Sequence, residues 1–215
     1  MTKTHFLRTG LAFAAALSVA GCAGGSFTGP VEVTRFVAAQ TDALGKGTIA
    51  VRFASEIENE AALDAFRGAI SDELSLQGYT VIANEEVAGQ IATVDTSRNP
   101  LAAPDDGPPV SVGVGGGTGS FGSGLGVGLG INLGGSRDRY PRVMSELSVA
   151  IMNNSKEGAQ QNLWEGRAQF PTSVNSPYAP VAVNARTLAT ALFKDFPQGD
   201  GQTVSLKASD LVEPE

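Results

Sequence analysis

Residues 142–152 read RVMSELSVAIM, and Val143, Leu147, Val149 and Ile151 fall at odd-numbered positions, on one side of an extended chain. Successive side chains of a β-strand point to opposite faces, so this period of two predicts a strand with one buried face and one polar face. Strands of this kind are typical of antiparallel sheets that are covered on one side. The stretch therefore indicates a sheet with a single covering layer.

The same alternation recurs on both sides of this stretch. Residues 162–170, NLWEGRAQF, place Trp164, Ala168 and Phe170 opposite polar neighbours and predict a second half-buried strand. Further strands are predicted at residues 31–38, 48–54, 79–83, 90–96 and 203–206. In the first of these, Val31, Val33 and Arg35 share one side.

Two segments change to a helical period. Ser55 and Glu58 have capping-box spacing and predict the start of a helix that stops near Gly78. A second helix is predicted between Pro180 and Pro197. The apolar residues that mark the buried stripes are Leu63, Phe66, Ile70 and Leu74 in the first helix, and Val181, Leu188, Leu192 and Phe196 in the second. The pattern predicts an α+β fold, a largely antiparallel sheet of about five to seven strands with two helices on one face.

A glycine-rich insertion interrupts this domain. Four prolines fall within residues 99–109, and residues 107–135 hold 13 glycines in 29 positions without a charged side chain. We therefore divide the chain into a first domain part (residues 31–98), a Pro/Gly-rich insertion (99–136), a second domain part (137–207) and a tail (208–215).

Within the insertion, apolar residues again alternate, at 110–114 and at 125–133, around a tip at Phe121. This pattern fits a hairpin with one apolar face, packed against a partner, a membrane surface or a second copy. The alternative is a mobile loop, because glycine in strands costs entropy and supplies no contacts. Residues 117–122 match the dinucleotide fingerprint GxGxxG, but further glycines follow where a helix is needed, so no cofactor is expected.

The N-terminal residues have the organisation of a signal peptide. Lys3 and Arg8 precede an apolar run at residues 10–20, too short to span a bilayer. The run ends in VAGC, which resembles the bacterial lipobox. The resemblance implies cleavage between Gly21 and Cys22, a diacylglycerol on the Cys22 thiol and an acyl chain such as palmitate on the new amine. An ordinary secretory peptide and a buried N-terminal helix are the alternatives.

On this interpretation residues 1–21 are removed and residues 22–30 form a lipidated tether. Ala23, rather than an aspartate, follows the cysteine. By resemblance to Gram-negative sorting, this indicates the outer membrane, with the domain facing the periplasm. The predicted partner of Cys22 is therefore the membrane itself.

The composition excludes several classes of chemistry. Residues 22–215 carry 22 acidic and 13 basic side chains, a net charge of −9 that disfavours nucleic-acid binding. His5 and Cys22 are the only residues of their types. Residues 23–215 therefore lack Ser-His-Asp and Cys-His catalysis, histidine-ligated metals and disulfides. We expect no enzyme, metal or cofactor. A hydrolase of the cell wall that uses two carboxylates is the remaining enzymatic alternative.

Several of these features together resemble a family of bacterial envelope lipoproteins, domain of unknown function 4136. They are the lipobox, the glycine-rich middle, LWEGRA at residues 163–168 and LFKDFP at residues 192–197. The resemblance implies a small α+β domain in the cell envelope. It supplies no catalytic residues.

Candidate interaction residues are few. Phe121 lies at the predicted hairpin tip, and Arg137, Arg139 and Arg142 form the densest cationic patch, suited to lipid headgroups or an acidic partner, or else a solvated strand entry. Trp164 and Arg167 together could form a recognition patch. The alternative is that Trp164 belongs to the core and Arg167 to the surface. We expect a non-enzymatic, lipid-anchored protein that binds a protein or envelope component. A lipid or glycan carrier, or transport accessory, is the alternative.

Overall fold

The computed structural model describes residues 25–39, 42–101, 140–155 and 160–214. They form seven strands, two α-helices and two short 3-10 helices, Glu85–Val87 and Ala208–Asp210. The main elements in chain order are β1 (Val31–Val37), β2 (Thr48–Phe53), α1 (Glu60–Leu76), β3 (Thr80–Val81), β4 (Gln90–Leu101), β5 (Arg142–Asn153), β6 (Asn162–Ser173), α2 (Val181–Phe193) and β7 (Asp200–Leu206). The predicted α+β fold is confirmed.

The strands form one sheet in the order β3-β2-β4-β5-β6-β1-β7. The β4-β5, β5-β6, β6-β1 and β1-β7 pairs are antiparallel, whereas β2 runs parallel to both β3 and β4. The sheet is thus mixed but mostly antiparallel. One end of the sheet contains Val31 of β1, Leu101 of β4, Arg142 of β5 and Ser173 of β6. We call it the strap end, because a short N-terminal segment, residues 27–29, pairs with β6 there.

Both helices pack on the same face of the sheet. Their buried side chains join one hydrophobic core with alternate residues of the strands. Of the residues of β5 and β6 predicted to face inward, Val143 is only partly buried, at the strap end of β5. The others are fully buried in this core: Leu147, Val149, Ile151, Trp164, Ala168 and Phe170. Alternation predicts this correctly because every second side chain faces the helices.

Several element boundaries differ from the sequence prediction; for example, β6 continues to Ser173 and β7 begins at Asp200. Helix α1 begins at Glu60, and its N-cap is Asn59, whose Oδ1 accepts from the Ala62 N–H (3.0 Å), so the predicted Ser55 cap is wrong. Helix α2 ends at Phe193, before the predicted stop at Pro197. Strand β4 continues through residues 99–101, predicted to be irregular, by pairing with β5. Proline is tolerated there because β2 pairs with β4 only as far as Val94, which leaves that edge open at Pro100.

Arg35 caps the C-terminal end of α2. It lies on the core side of β1, as predicted, and donates to two carbonyls of the last turn, Leu192 O from Nε (2.8 Å) and Ala191 O from Nη2 (2.6 Å). The last carbonyls of a helix have no partner within it, so a guanidinium satisfies them and suits the negative end of the helix dipole. Burial lowers the pKa of Arg35, and the charge of Asp195 acts in the opposite direction.

Gly166 makes room for the tryptophan of the LWEGRA segment. A Cβ at this position would collide with the Trp164 ring and would lie 2.8 Å from Leu192 Cδ1. A strand glycine supplies no contacts of its own. Its place in β6 is therefore explained by the bulk of Trp164 and by the close approach of α2.

We predict opposite effects of two glycine-to-alanine changes. Gly166→Ala overpacks the core and is expected to reduce the free energy of unfolding by about 1–3 kcal/mol. Gly68→Ala, in the middle of α1 with open space around it, is expected to raise it by about 0.5–1 kcal/mol. Chemical denaturation of both variants measures the pair. A stabilised Gly166→Ala would contradict the packing described for Trp164.

Candidate functional site

A short N-terminal segment is fastened to the strap end of the sheet. The Phe27 N–H donates to Ser173 Oγ and Phe27 O accepts from the Ser173 N–H, both at 2.8 Å. The Gly29 N–H donates to Pro171 O (2.9 Å), and Thr28 forms an antiparallel bridge with Thr172. We call residues 27–29 the N-terminal strap. Its position is fixed by backbone pairing with the last residues of β6.

Arg142 lies beneath this strap. Its guanidinium carbon is 4.0 Å from the centroid of the Phe27 ring, a cation–π geometry, and the residue is only 5% exposed. The structure therefore places this predicted interaction residue mostly beneath an aromatic ring. Its contact with a partner stays a prediction.

The other predicted functional residues lie outside the described ranges. They are Cys22 with the cleavage position at Gly21, and Phe121, Arg137 and Arg139 in or beside the glycine-rich insertion. The apolar alternation at residues 110–133 falls outside them as well.

The described residues nevertheless fix where the insertion joins the domain. Leu101, the last residue of β4, pairs directly with Arg142, the first residue of β5. The chain therefore leaves the sheet and returns to it at neighbouring positions. Because Arg142 also contacts Phe27, the N-terminal strap and both ends of the insertion meet at the strap end.

Exposed apolar side chains cluster beside this junction. Tyr140 is 38% exposed and Val174 is 48% exposed. The Val174 N–H donates to Pro141 O (3.0 Å), which joins the two segments. Sequence reasoning missed Phe27 and Val174. A lone aromatic shortly after a lipobox cysteine was the available signal for Phe27.

Trp164 and Arg167 do not form one patch. Trp164 is 1% exposed, stacks on Phe193 and meets Phe196 edge-on. Arg167 lies on the helix-free face, where its Nη2 is 2.6 Å from Glu146 Oε1. The amide of Gln169 donates to the other oxygen of the same carboxylate (2.8 Å). The tryptophan is a core residue, and the arginine belongs to a polar network across β5 and β6.

Two other properties of the described ranges concern possible chemistry, their metal-ligating side chains and their shifted pKa values. No cluster of three or more metal-ligating side chains occurs in those ranges. Burial raises the pKa of the Tyr79 hydroxyl, opposed by a backbone hydrogen bond with Gly45, and this hydroxyl donates to Gln90 Oε1 (3.0 Å). The Tyr79 hydroxyl is therefore part of a buried hydrogen-bonded pair with Gln90.

Comparison with known proteins finds similar structures but no similar sequence. Neither a family profile nor a curated protein sequence matches the chain. One similar solved structure is a PDZ domain protein from Parabacteroides distasonis, with 14% identity and a TM-score of 0.48, covering 84% of this chain. The matched region is 38% of that longer protein.

Two further solved structures are similar over most of their own lengths. The PelC dodecamer from Paraburkholderia phytofirmans has 10% identity and a TM-score of 0.41, covering 74% of this chain and 91% of that one. A DUF4136 family protein from Bacteroides thetaiotaomicron has 15% identity and a TM-score of 0.38, covering 72% and 92%. The last belongs to the family that the sequence motifs resemble. At these values the likeness concerns the fold and gives no function.

Among the described residues, no helix is long and apolar enough to cross a membrane.

Proposed function

We propose that this chain is a lipid-anchored protein of the bacterial envelope, held at the periplasmic face of the outer membrane through Cys22, and that it binds a protein or envelope component without catalysis. The observation that carries the proposal is the junction at the strap end. There the segment that follows Cys22 is fastened beside the two ends of the glycine-rich insertion.

The non-catalytic part of the proposal rests on composition and on the contacts of three glutamates. Residues 23–215 contain neither histidine nor cysteine. Glu146 is engaged with Arg167 and Gln169, Glu73 accepts from the Thr190 hydroxyl, and Glu85 faces Arg52 at 3.4 Å. Carboxylates held in this way have ordinary structural roles, so a binding role needs fewer assumptions than a carboxylate-dependent hydrolase.

The carrier alternative needs an apolar cavity that holds an acyl chain. Between the sheet and the helices, large side chains such as Trp164, Phe170 and Phe193 are fully buried and in contact. An open depression lined by Asp42, Asn153, Gln161, Ala43 and Leu163 lies at the opposite end of the sheet and is partly polar. Neither feature favours a lipid carrier, so we retain partner binding as the proposed function.

Crosslinking in intact cells, followed by affinity purification and mass spectrometry, tests partner binding. We compare the unaltered protein with a variant in which residues 110–135 are replaced by a short Gly/Ser linker. Val87→Ser, which changes an exposed apolar residue (66% exposed) at the opposite end of the sheet, is the matched control. We expect a specific partner that the control keeps and the replacement loses.

The other outcomes are equally informative. A partner retained by the replacement variant would move the binding surface to the described domain. No partner with any of the three proteins would contradict the binding proposal, and extraction of bound lipid or glycan would then test the carrier alternative.

A further inference from the structure

We infer that the strap end of the sheet rests on the bilayer surface and that Phe27, Tyr140 and Val174 contact the headgroup region. The inference depends on the proposed anchor at Cys22 and adds an orientation and a contact surface to it. The occupant to which it commits is a phospholipid surface.

The tether between Cys22 and the folded domain is short. Cys22 precedes Phe27 by five residues, which span at most about 17 Å when fully extended. The backbone of Phe27 donates to Ser173 Oγ and accepts from the Ser173 N–H, and its ring makes a cation–π contact with Arg142. A lipidated Cys22 therefore holds the strap end close to the membrane. The opposite end of β5, Asn153, is eleven residues further along the strand and about 35–37 Å away.

The surface around the strap has a composition suited to a lipid headgroup region. The four segments that meet around the strap, residues 25–31, 97–101, 140–145 and 171–180, contain no acidic residue, and Asp138, two residues before Tyr140, is flanked by Arg137 and Arg139. They expose the apolar Val174 and the amphipathic Tyr140. Tyrosine is enriched at membrane–water interfaces, because its ring is apolar and its hydroxyl is wet.

The C-terminal residues distinguish which side of the domain faces the lipid. The C-terminal residues pass on the helix side, where the Tyr178 hydroxyl donates to Val212 O (3.1 Å), and they carry Asp210 and Glu213. Carboxylates are repelled by anionic headgroups. The charges therefore favour contact through the strap, Tyr140 and Val174 rather than through the C-terminal residues.

Exposure alone does not select this surface. Leu76 and Val87, at the opposite end, are more exposed (78% and 66%). Acidic side chains adjoin them in sequence, Asp72 and Glu73 before Leu76, and Glu85 and Glu86 before Val87. They therefore serve as matched apolar positions that the inference places away from the lipid.

The experiment uses the lipidated chain, in which Cys22 is the only cysteine and is consumed by the anchor. A new cysteine is introduced by Val174→Cys or, as the control, Val87→Cys, and is labelled with a fluorophore. Each protein is reconstituted into vesicles of phosphatidylethanolamine and phosphatidylglycerol that contain a nitroxide-headgroup lipid. We expect strong quenching of the label at position 174 and little at position 87.

Flotation of the vesicles tests the lipid anchor separately from the orientation of the domain. A protein that floats but shows equal quenching at both positions, or more at position 87, would overturn the orientation while the anchor stands. A protein that does not float would overturn the anchor and the orientation with it. Tyr140→Cys paired with Leu76→Cys repeats the comparison if either valine variant loses its native circular dichroism.

Discussion

Replacing Cys22 with serine is expected to release the protein almost completely from the membrane fraction. A hydroxyl does not take the place of the thiol that receives the diacylglycerol, so the variant carries no acyl chains. Each buried methylene contributes about 0.8 kcal/mol to membrane binding, and two or three chains are needed for a durable anchor. Fractionation of cells and metabolic labelling with an alkyne analogue of palmitate measure the loss.

Ser26→Ala is the control for this experiment, because it changes a neighbouring exposed residue outside VAGC. It is expected to stay in the outer membrane and to take up the label. If the Cys22→Ser protein also remained in the membrane after an alkaline wash, another feature of the chain would have to supply the attachment.

Replacing Trp164 with alanine is expected to reduce the free energy of unfolding by about 3–5 kcal/mol. The ring is 1% exposed, stacks on Phe193 at a centroid distance of 5.4 Å and meets Phe196 at 5.3 Å. Alanine removes both aromatic contacts and leaves a cavity between β6 and α2. A loss of this size is a large part of the total stability of a single domain.

Trp164→Phe separates packing from hydrogen bonding. The buried Nε1 of Trp164 makes no hydrogen bond with the described residues. Phenylalanine therefore costs no polar contact there, and we expect it to lose clearly less stability than alanine. Urea denaturation of both variants gives the two values. Equal losses of stability would contradict the absence of a hydrogen bond at the indole nitrogen.

The sequence predicted the faces of the strands better than their neighbours. Alternation reports which side chains point inward, and it places Leu147, Val149 and Ile151 of β5 and Trp164, Ala168 and Phe170 of β6 in the core. It does not report pairing partners. In the structure β1 lies between β6 and β7, and β2 runs parallel to β3 and β4. No local sequence pattern indicates either arrangement.

The errors at element boundaries have local causes. Ser55 and Asn59 both suit an N-cap, and only the contact between Asn59 and the Ala62 N–H decides between them. Pro100 signals irregular structure in a sequence, yet it fits a strand whose outer edge is unpaired.

The strap end was out of reach of sequence analysis for a different reason. Phe27 belongs to no periodic apolar pattern and lies in a glycine-rich stretch. Its contact with Arg142 joins positions that are far apart in the chain. The sequence did supply the surrounding features, the lipobox and the insertion. Their meeting point appears only when β4, β5 and β6 are aligned in the sheet.

The most direct test of the proposed anchor is mass spectrometry of the N-terminal peptide from protein purified out of the outer membrane. The account predicts a peptide that begins at Cys22 and carries the mass of a diacylglycerol together with an amide-linked acyl chain. A peptide that retains residues before Cys22, or that begins at an unmodified Cys22, would contradict it.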